Sequence, residues 1–262
     1  SESGIEKLVR ADSDRFGVYS ESAAVETGGG YTYSIAVKAV ANELKNIVVY
    51  DHLENAQEDR DGDGDLFEPF EHSGWQGTFQ SVDVAALREM GIAPVIYYST
   101  DRNASIPQDA SKPENGIGQL TQENGWYCGE EALELAGISK EAVQSIAVDL
   151  SHTEGGGEFI LKSGATAVFQ IKMTAPEEKP ENAEYTYNNP AWFSEAVGTG
   201  DKNMREGNSV RVSLRGKEAL EIVKEFGGDV PEAVKDTAFE FRLSEAGQIS
   251  GEKPLANREY QL

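Results

Sequence analysis

Two neighbouring stretches of sequence decide the fold: Gly28-Gly29-Gly30-Tyr31-Thr32-Tyr33-Ser34-Ile35-Ala36-Val37-Lys38 and Leu44-Lys45-Asn46-Ile47-Val48-Val49-Tyr50-Asp51. In the first, large apolar side chains recur at every second residue, which is the period of a β-strand with one buried face. The second contains a compact β-branched run that is typical of a strand inside a sandwich. A lysine lies in the first strand and an aspartate ends the second. Together they predict the opening of a β-sandwich.

The rest of the domain continues this pattern. Further strand patterns occupy residues 75–82, 92–99, 146–150, 158–161, 165–173 and 210–214. Short helices are expected at residues 83–90 and 130–135, and another near the start of the chain around Ile5-Glu6-Lys7-Leu8-Val9. Many short strands between long polar loops predict a mainly β fold, an Ig-like antiparallel β-sandwich with inserted short helices.

A change of pattern near Gly216 divides the chain. We assign residues 1–215 to the sandwich domain and residues 216–262 to the start of a second β-module, in which Ala238-Phe239-Glu240-Phe241-Arg242-Leu243 alternates strongly. The last residues stop in the middle of another strand pattern. We therefore expect a segment of a longer protein, folded as a monomeric module.

Composition excludes several classes of function. The net charge of −23 repels phosphate backbones and anionic lipid, so it argues against nucleic-acid and membrane-surface binding. Cys128 is the only cysteine, which excludes an intrachain disulfide and a cysteine-based zinc site. No apolar run approaches the ~20 residues that span a bilayer. The histidines lack metal-ligand spacing, no nucleophile elbow occurs, and we expect no enzyme.

Two stretches resemble modules of bacterial surface proteins. Tyr31 to Val37 with Asn46 to Leu53 resembles the repeated Ig-like modules of cell-wall-anchored adhesins of Gram-positive Firmicutes, which are related to collagen-adhesin A-type domains. Val234 to Leu243 with Pro254 to Tyr260 is similar to the start of a collagen-adhesin B-type or pilin module. The resemblance implies an extracellular location on the cell wall, with anchoring through parts outside this segment. It also implies a host protein or glycan as partner.

The resemblance further implies a side-chain crosslink, because some of these modules join a strand lysine to a strand asparagine with a nearby acid as catalyst. Burial lowers the pKa of a lysine and makes its neutral amine available as a nucleophile. The candidates are Lys38, Asp51 and either Asn188 or Asn189. Alternatively, Lys38 is solvated on an outer face, Asp51 caps a loop, and the two asparagines form a turn.

Asp59-Arg60-Asp61-Gly62-Asp63-Gly64-Asp65 matches the beginning of a calcium loop. Asp59, Asp61 and Asp63 occupy the first ligand positions, and Asp65 and Glu71 are further carboxylates that a bound Ca²⁺ would gather. The twelfth position is Phe70 where such a loop carries glutamate. A flexible acidic surface loop is the alternative.

Four aromatic residues in predicted loops are candidates for ligand binding: Trp126, Tyr127, Trp192 and Phe193. Core packing is the alternative for each. The sequence thus favours a surface adhesin module that binds a host protein, such as immunoglobulin, mucin or matrix protein, or a glycan. Two other hypotheses remain open: a stalk module that binds nothing, and an accessory domain of a carbohydrate-active enzyme.

Overall fold

The computed structural model describes residues 4–14, 16–54, 57–58, 68–69, 74–101, 104, 120–181 and 185–216. The chain divides into two compact units, Ser1–Lys217 and Glu218–Leu262. All the described residues lie in the first unit, so the predicted second β-module lies outside them and stays a prediction.

The first unit is mainly β, as the sequence predicts. Its strands are β1 (Gly4–Ala11), β2 (Ser22–Glu26), β3 (Gly30–Lys38), β4 (Leu44–Asp51), β5 (Gln57–Glu58), β6 (Glu68–Pro69), β7 (Thr78–Asp83), β8 (Val95–Ser99), β9 (Tyr127–Cys128), β10 (Ser145–Asp149), β11 (Thr166–Thr174), β12 (Tyr185–Asn188), β13 (Pro190–Ala196), β14 (Lys202–Glu206) and β15 (Val210–Arg215). The short helices are α1 (Ala85–Glu89) and α2 (Gly129–Leu135), and single 3-10 turns occupy Gln122–Asn124 and Lys140–Ala142. The two α-helices lie where the sequence predicts them. No helix in the described ranges is long and apolar enough to cross a bilayer.

Two antiparallel sheets form the sandwich. One has the strand order β1-β3-β11-β7, and the other has the order β14-β13-β4-β10-β8-β9. A smaller sheet, β12-β15-β2, adds the only parallel pairing that the described strands show, between β15 and β2. The fold is therefore the Ig-like antiparallel β-sandwich that the sequence predicts.

The central strands of the six-stranded sheet, β13, β4 and β10, are buried on both faces, which explains the uninterrupted apolar run of β4. Ile47 and Val49 face the four-stranded sheet and join the main core with Tyr33 and Phe169. The alternate residues of β4 pack into a second cluster on the outer face. Its members are Val48, Tyr50, Tyr97, Ala104, Leu120, Trp126, Ala147, Ala191, Phe193 and Met204. A strand that is covered on both faces has no solvent-facing position for a polar residue.

The helix predicted near the start of the chain is wrong, because Gly4–Ala11 is β1. It pairs antiparallel with β3, and Lys7 lies opposite Ile35. Lys7, Val9 and Ala11 are buried, so the period is that of a strand. Lys7 is a charged residue at an inward position, so the alternation of apolar and polar residues that marks a strand is interrupted in the sequence.

Tyr31 depends on a close approach of the backbone at Gly77. A Cβ atom at this position would lie 2.0 Å from Tyr31 Oη and 2.9 Å from the carbonyl oxygen of Thr174. The Tyr31 ring is fully buried and packs edge-on against Trp75, with ring centroids 6.0 Å apart. Only glycine leaves room for the hydroxyl in this position.

We therefore expect Gly77→Ala to displace Tyr31 and lower the free energy of unfolding by about 1–3 kcal/mol, the usual cost of overpacking a core. Chemical denaturation followed by intrinsic fluorescence measures the change. Gly4→Ala is the matched control, since a Cβ there meets nothing within 4 Å. Equal stability of the two variants would show that Gly77 imposes no such constraint.

Candidate functional site

Asp51 is the centre of a buried polar cluster between the sheets. It ends β4, and its side chain is 1% exposed. Its Oδ2 atom lies 2.5 Å from Lys7 Nζ, and its Oδ1 atom accepts a hydrogen bond from Asn188 Nδ2 at 3.1 Å. The backbone N–H of Leu53 also donates to Oδ1, at 2.7 Å. One carboxylate thus holds an amine and a carboxamide side by side.

Lys7 reaches this cluster from β1 and is completely buried. Its Nζ atom lies 4.0 Å from the centroid of the Tyr33 ring, in the position of a cation–π contact. A fully buried lysine is rare in proteins unless an acid pairs with it. The ion pair with Asp51 accounts for its place in the core.

Asn188 comes from the end of β12, where it pairs with Val210 of β15. Its side chain is fully buried, and its Oδ1 atom has no hydrogen-bond partner in the described ranges. A buried carbonyl without a donor costs free energy. The strand pairing of Pro190 with Asp51 holds the following segment beside β4.

Burial moves the proton balance of the pair toward the uncharged forms. It lowers the pKa of Lys7, against the attraction of Asp51. It also raises the pKa of Asp51, against the attraction of Lys7 and the hydrogen bonds from Leu53 and Asn188. Both shifts favour a neutral amine beside a neutral carboxylic acid. These are the protonation states that a nucleophilic attack by lysine requires.

Glu54 is a second buried acid in this region, and it contacts Tyr33, the same residue whose ring Lys7 approaches. Its Oε1 atom accepts hydrogen bonds from the hydroxyls of Tyr31 and Tyr33, the latter at 3.0 Å. Burial raises the pKa of Glu54 to about 7, although Tyr31, Tyr33, Lys7 and Thr186 favour its charged form. The core around Lys7 therefore contains two buried acids, Asp51 and Glu54.

The backbone at the end of β4 places both acids inside the sandwich. Leu53 has a φ of 49°, in the left-handed region that a leucine rarely adopts. The chain bends here after β4, and the side chains of Asp51 and Glu54 are both buried although their separation of three residues does not match the period of a strand. Sequence periodicity carries no signal for such a bend, and our sequence interpretation missed Glu54 for this reason.

The structure brings together only two of the four residues predicted for the crosslink. Asp51 and Asn188 are in contact, and Asn189 is buried beside Asn188 at 6% exposure. Lys38 is exposed at the end of β3, opposite Gly4 and Thr166. Because Val37 faces the core, the next residue faces solvent. The buried lysine beside Asp51 is Lys7, which the sequence interpretation assigned to a helix.

The four aromatic candidates for ligand binding do not form an exposed patch. Trp126 and Phe193 lie in the outer core cluster, and Trp192 lies in the main core, each at 3% exposure or less. Tyr127 is partly buried and packs against the main core. Core packing, the alternative considered for each residue, describes their positions.

The predicted calcium ligands Asp59, Asp61, Asp63, Asp65 and Glu71 lie outside the described residues. The calcium site therefore stays a prediction. Within the described ranges, no group of three or more histidine, cysteine, aspartate or glutamate side chains is arranged to hold a metal ion.

No protein-family model matches the chain, and no curated protein matches it. Among solved structures it is similar to the major pilin BcpA of Bacillus cereus, with 13% identity over 82% of this chain and 41% of that chain and a TM-score of 0.39. It is also similar to the major pilin SpaD of Corynebacterium diphtheriae, with 13% identity, 81% and 35% coverage and a TM-score of 0.33. A third similar structure is the C-terminal domain of the AgI/II polypeptide BspA of Streptococcus agalactiae, with 12% identity, 80% and 50% coverage and a TM-score of 0.36.

These structural neighbours are Gram-positive pilin and adhesin domains, the class that the sequence resemblance names. The chain spans half or less of the length of each of the three. The identities are low, and the likeness is structural only.

The raised pKa of Glu54 predicts a loss of stability with rising pH. In the unfolded chain this carboxyl ionises near its ordinary pKa of 4.5, whereas the folded chain keeps the proton until about pH 7. Ionising the buried group therefore penalises the folded state progressively between these values, by about 3 kcal/mol in total. Glu54→Gln should lack this loss. Denaturation midpoints from pH 4.5 to 8 measure it, and parallel curves for the two proteins would refute the assignment.

Proposed function

We propose that this chain is a structural module of a bacterial cell-surface protein and that an amide bond between Lys7 and Asn188 locks its sandwich. The observation that carries the proposal is the fully buried Lys7–Asp51–Asn188 cluster, in which one carboxylate contacts both reacting groups. An ion pair alone would be a costly way to fill this space, since two buried charges lose their hydration. A covalent amide removes both charges.

The reaction balances with the groups present. Asp51 takes a proton from the Lys7 ammonium, and the neutral amine attacks Cγ of Asn188. A bond forms between Lys7 Nζ and Asn188 Cγ. Asp51 gives its proton to Nδ2, the bond from Cγ to Nδ2 breaks, and ammonia leaves, while Asp51 takes up the proton that the attacking nitrogen loses. Asp51 ends as a neutral carboxylic acid, able to donate to the new amide carbonyl. No external oxidant, metal or cofactor takes part in these steps.

The surroundings support this chemistry in two ways. Burial favours the neutral amine of Lys7 and the protonated form of Asp51, which are the nucleophile and the acid that the steps need. The strands hold both reacting groups against the same carboxylate, which replaces a bimolecular encounter by a positioned one. When Glu54 is protonated, the site carries no excess negative charge.

A second candidate function is ligand binding, which the resemblance to adhesins suggests. A polar cleft of about 450 Å³ supports it, at the edge of the six-stranded sheet beside β13 and β14. Its polar lining residues are Asn42, Ser194, Asp201, Lys202, Asn203 and Arg205. Amide, hydroxyl and guanidinium groups of this kind bind the hydroxyl and carboxylate groups of a host glycan or glycoprotein.

The crosslink predicts that the intact mass of the folded chain is lower than the sequence mass by one ammonia. Lys7→Ala and Asn188→Ala should each keep the full mass expected for the variant. Lys38→Ala is the matched control and should still lose ammonia. Peptide mapping of the unsubstituted protein should show Lys7 joined to Asn188, and this measurement does not depend on whether a variant folds.

A full sequence mass for the folded, unsubstituted protein would end the proposal. Loss of one water would contradict it as well, because water is released if Lys7 joins Asp51 and not Asn188.

For the second candidate, we expect saturable binding of the protein to immobilised mucin or a matrix glycoprotein. The double substitution Asn42→Ala with Asn203→Ala should weaken this binding about tenfold, or roughly 1.4 kcal/mol. Surface plasmon resonance measures both, with Lys38→Ala as the control. A lack of binding to these ligands, or binding that the double substitution leaves unchanged, argues for a stalk module that binds neither of them.

A further inference from the structure

The turn between β14 and β15 touches the backbone of the lysine that carries the buried amine. Asn208 Oδ1 accepts a hydrogen bond from the backbone N–H of Lys7 at 2.8 Å, and Asn208 Nδ2 donates to the carbonyl oxygen of Lys7 at 2.8 Å. A residue on a neighbouring antiparallel strand makes this same pair of bonds. The side chain of Asn208 therefore takes the place of a strand partner at a single residue.

The position of β1 explains why such a partner is useful. β1 is the edge strand of its sheet, with β3 on one side only. On the open side, Val9 exchanges both backbone hydrogen bonds with Ser20. Asn208 makes the corresponding bonds to Lys7, two residues earlier, whose backbone N–H and carbonyl also point to this open edge. The edge strand is thus held at the residue whose side chain enters the buried cluster.

The same turn also contacts the segment that follows the acceptor asparagine. The backbone N–H of Gly207 donates to the carbonyl oxygen of Pro190 at 2.7 Å. A Cβ atom at Gly207 would lie 2.8 Å from Ile5 Cγ2 and 2.8 Å from Pro190 Cγ. Gly207 is therefore packed between β1 and the beginning of β13. β13 begins at Pro190, two residues after Asn188.

We propose that Gly207 and Asn208 form a clamp that aligns Lys7 with Asn188, and that Asn208 is a positioning residue for the crosslinking reaction. The inference rests on the proposed Lys7–Asn188 bond. A lysine side chain has many rotamers, so its amine is well placed only if its backbone is fixed. A small misplacement of reacting atoms can slow a reaction about a hundredfold.

The amide group of asparagine suits this role because it carries a donor and an acceptor in one plane. Aspartate would keep the bond from the Lys7 N–H and lose the bond to the Lys7 carbonyl. Alanine would lose both. The order of crosslinking rates should therefore be wild type, then Asn208→Asp, then Asn208→Ala.

The rate is measured on chain that is isolated in denaturant before it has folded, for example from inclusion bodies, and whose full sequence mass is confirmed; the denaturant is then diluted and ammonia loss is followed by mass in quenched samples. We expect Asn208→Ala to react at least about tenfold more slowly than wild type, given the sensitivity of such reactions to geometry. Thr32→Val is the matched control. It removes the 2.7 Å side-chain hydrogen bond from Thr32 to Asp12 just beyond β1, so it perturbs the same strand away from Lys7. Equal rates for Asn208→Ala and Thr32→Val would overturn the proposal.

A second measurement separates this inference from the crosslink itself. In the Asn188→Ala variant no Lys7–Asn188 bond can form, so the contact between Lys7 and Asp51 can be followed by NMR without the crosslink. Adding Asn208→Ala should speed hydrogen exchange at the Lys7 amide and shift the ¹⁵N resonance of its Nζ atom. If both stay unchanged, Asn208 does not position Lys7. If wild type shows no ammonia loss while the Asn188→Ala variant responds, the clamp stands and the proposed crosslink fails.

Discussion

The buried ion pair between Lys7 and Asp51 is the constraint on which the rest of the domain depends. Removing two charges from water is costly, and attraction between them repays the cost only when their geometry is good. The sandwich supplies that geometry from distant parts of the sequence: β1 brings the amine, β4 the carboxylate, and β12 the carboxamide that occupies the second carboxylate oxygen. The aromatic face of Tyr33 covers the remaining side of the ammonium. Loss of one partner here would leave a buried polar group without its hydrogen bond.

Glu54 makes the charge balance of this region unusual. With Lys7 charged, Asp51 neutralises it, and a second ionised acid would leave the core with an excess negative charge. The two tyrosine hydroxyls give the Glu54 carboxyl polar contacts, and burial keeps its proton in place up to about pH 7. If the amine becomes part of an amide, Asp51 must be neutral as well. The site then contains two uncharged acids, which a dry core accommodates at a lower cost.

Sequence reasoning predicted the elements whose signal is local. The β-branched run of β4 and the alternation in β3 predict the sandwich, and the sequence includes Asp51 and Asn188 among the candidates for a crosslink. Lys7 was missed because a charged residue at an inward position disrupts the apolar alternation that marks a strand. Lys38 is a candidate because it ends a clear strand. It follows the inward-facing Val37, however, and successive side chains of a strand point to opposite faces, so the Lys38 side chain points to solvent. Glu54 enters the core through the positive φ of Leu53, and no residue type announces that bend. The clamp at Asn208 joins residues about two hundred positions apart, a distance that only tertiary structure reveals.

The wide separation in sequence between Lys7 in β1 and Asn188 at the end of β12 has a mechanical consequence. With an amide between these residues, residues 8–187 become a closed covalent loop, and tension applied to the two ends of the domain passes through the bond and not along the loop. An unfolded loop of this length would otherwise lengthen the chain by roughly 600 Å under load. The crosslink would remove that slack, so this part of the domain would transmit a pulling force at nearly constant length even where its strands separate. The part of the domain after Asn188, which contains β13, β14 and β15, lies outside the loop and would remain extensible.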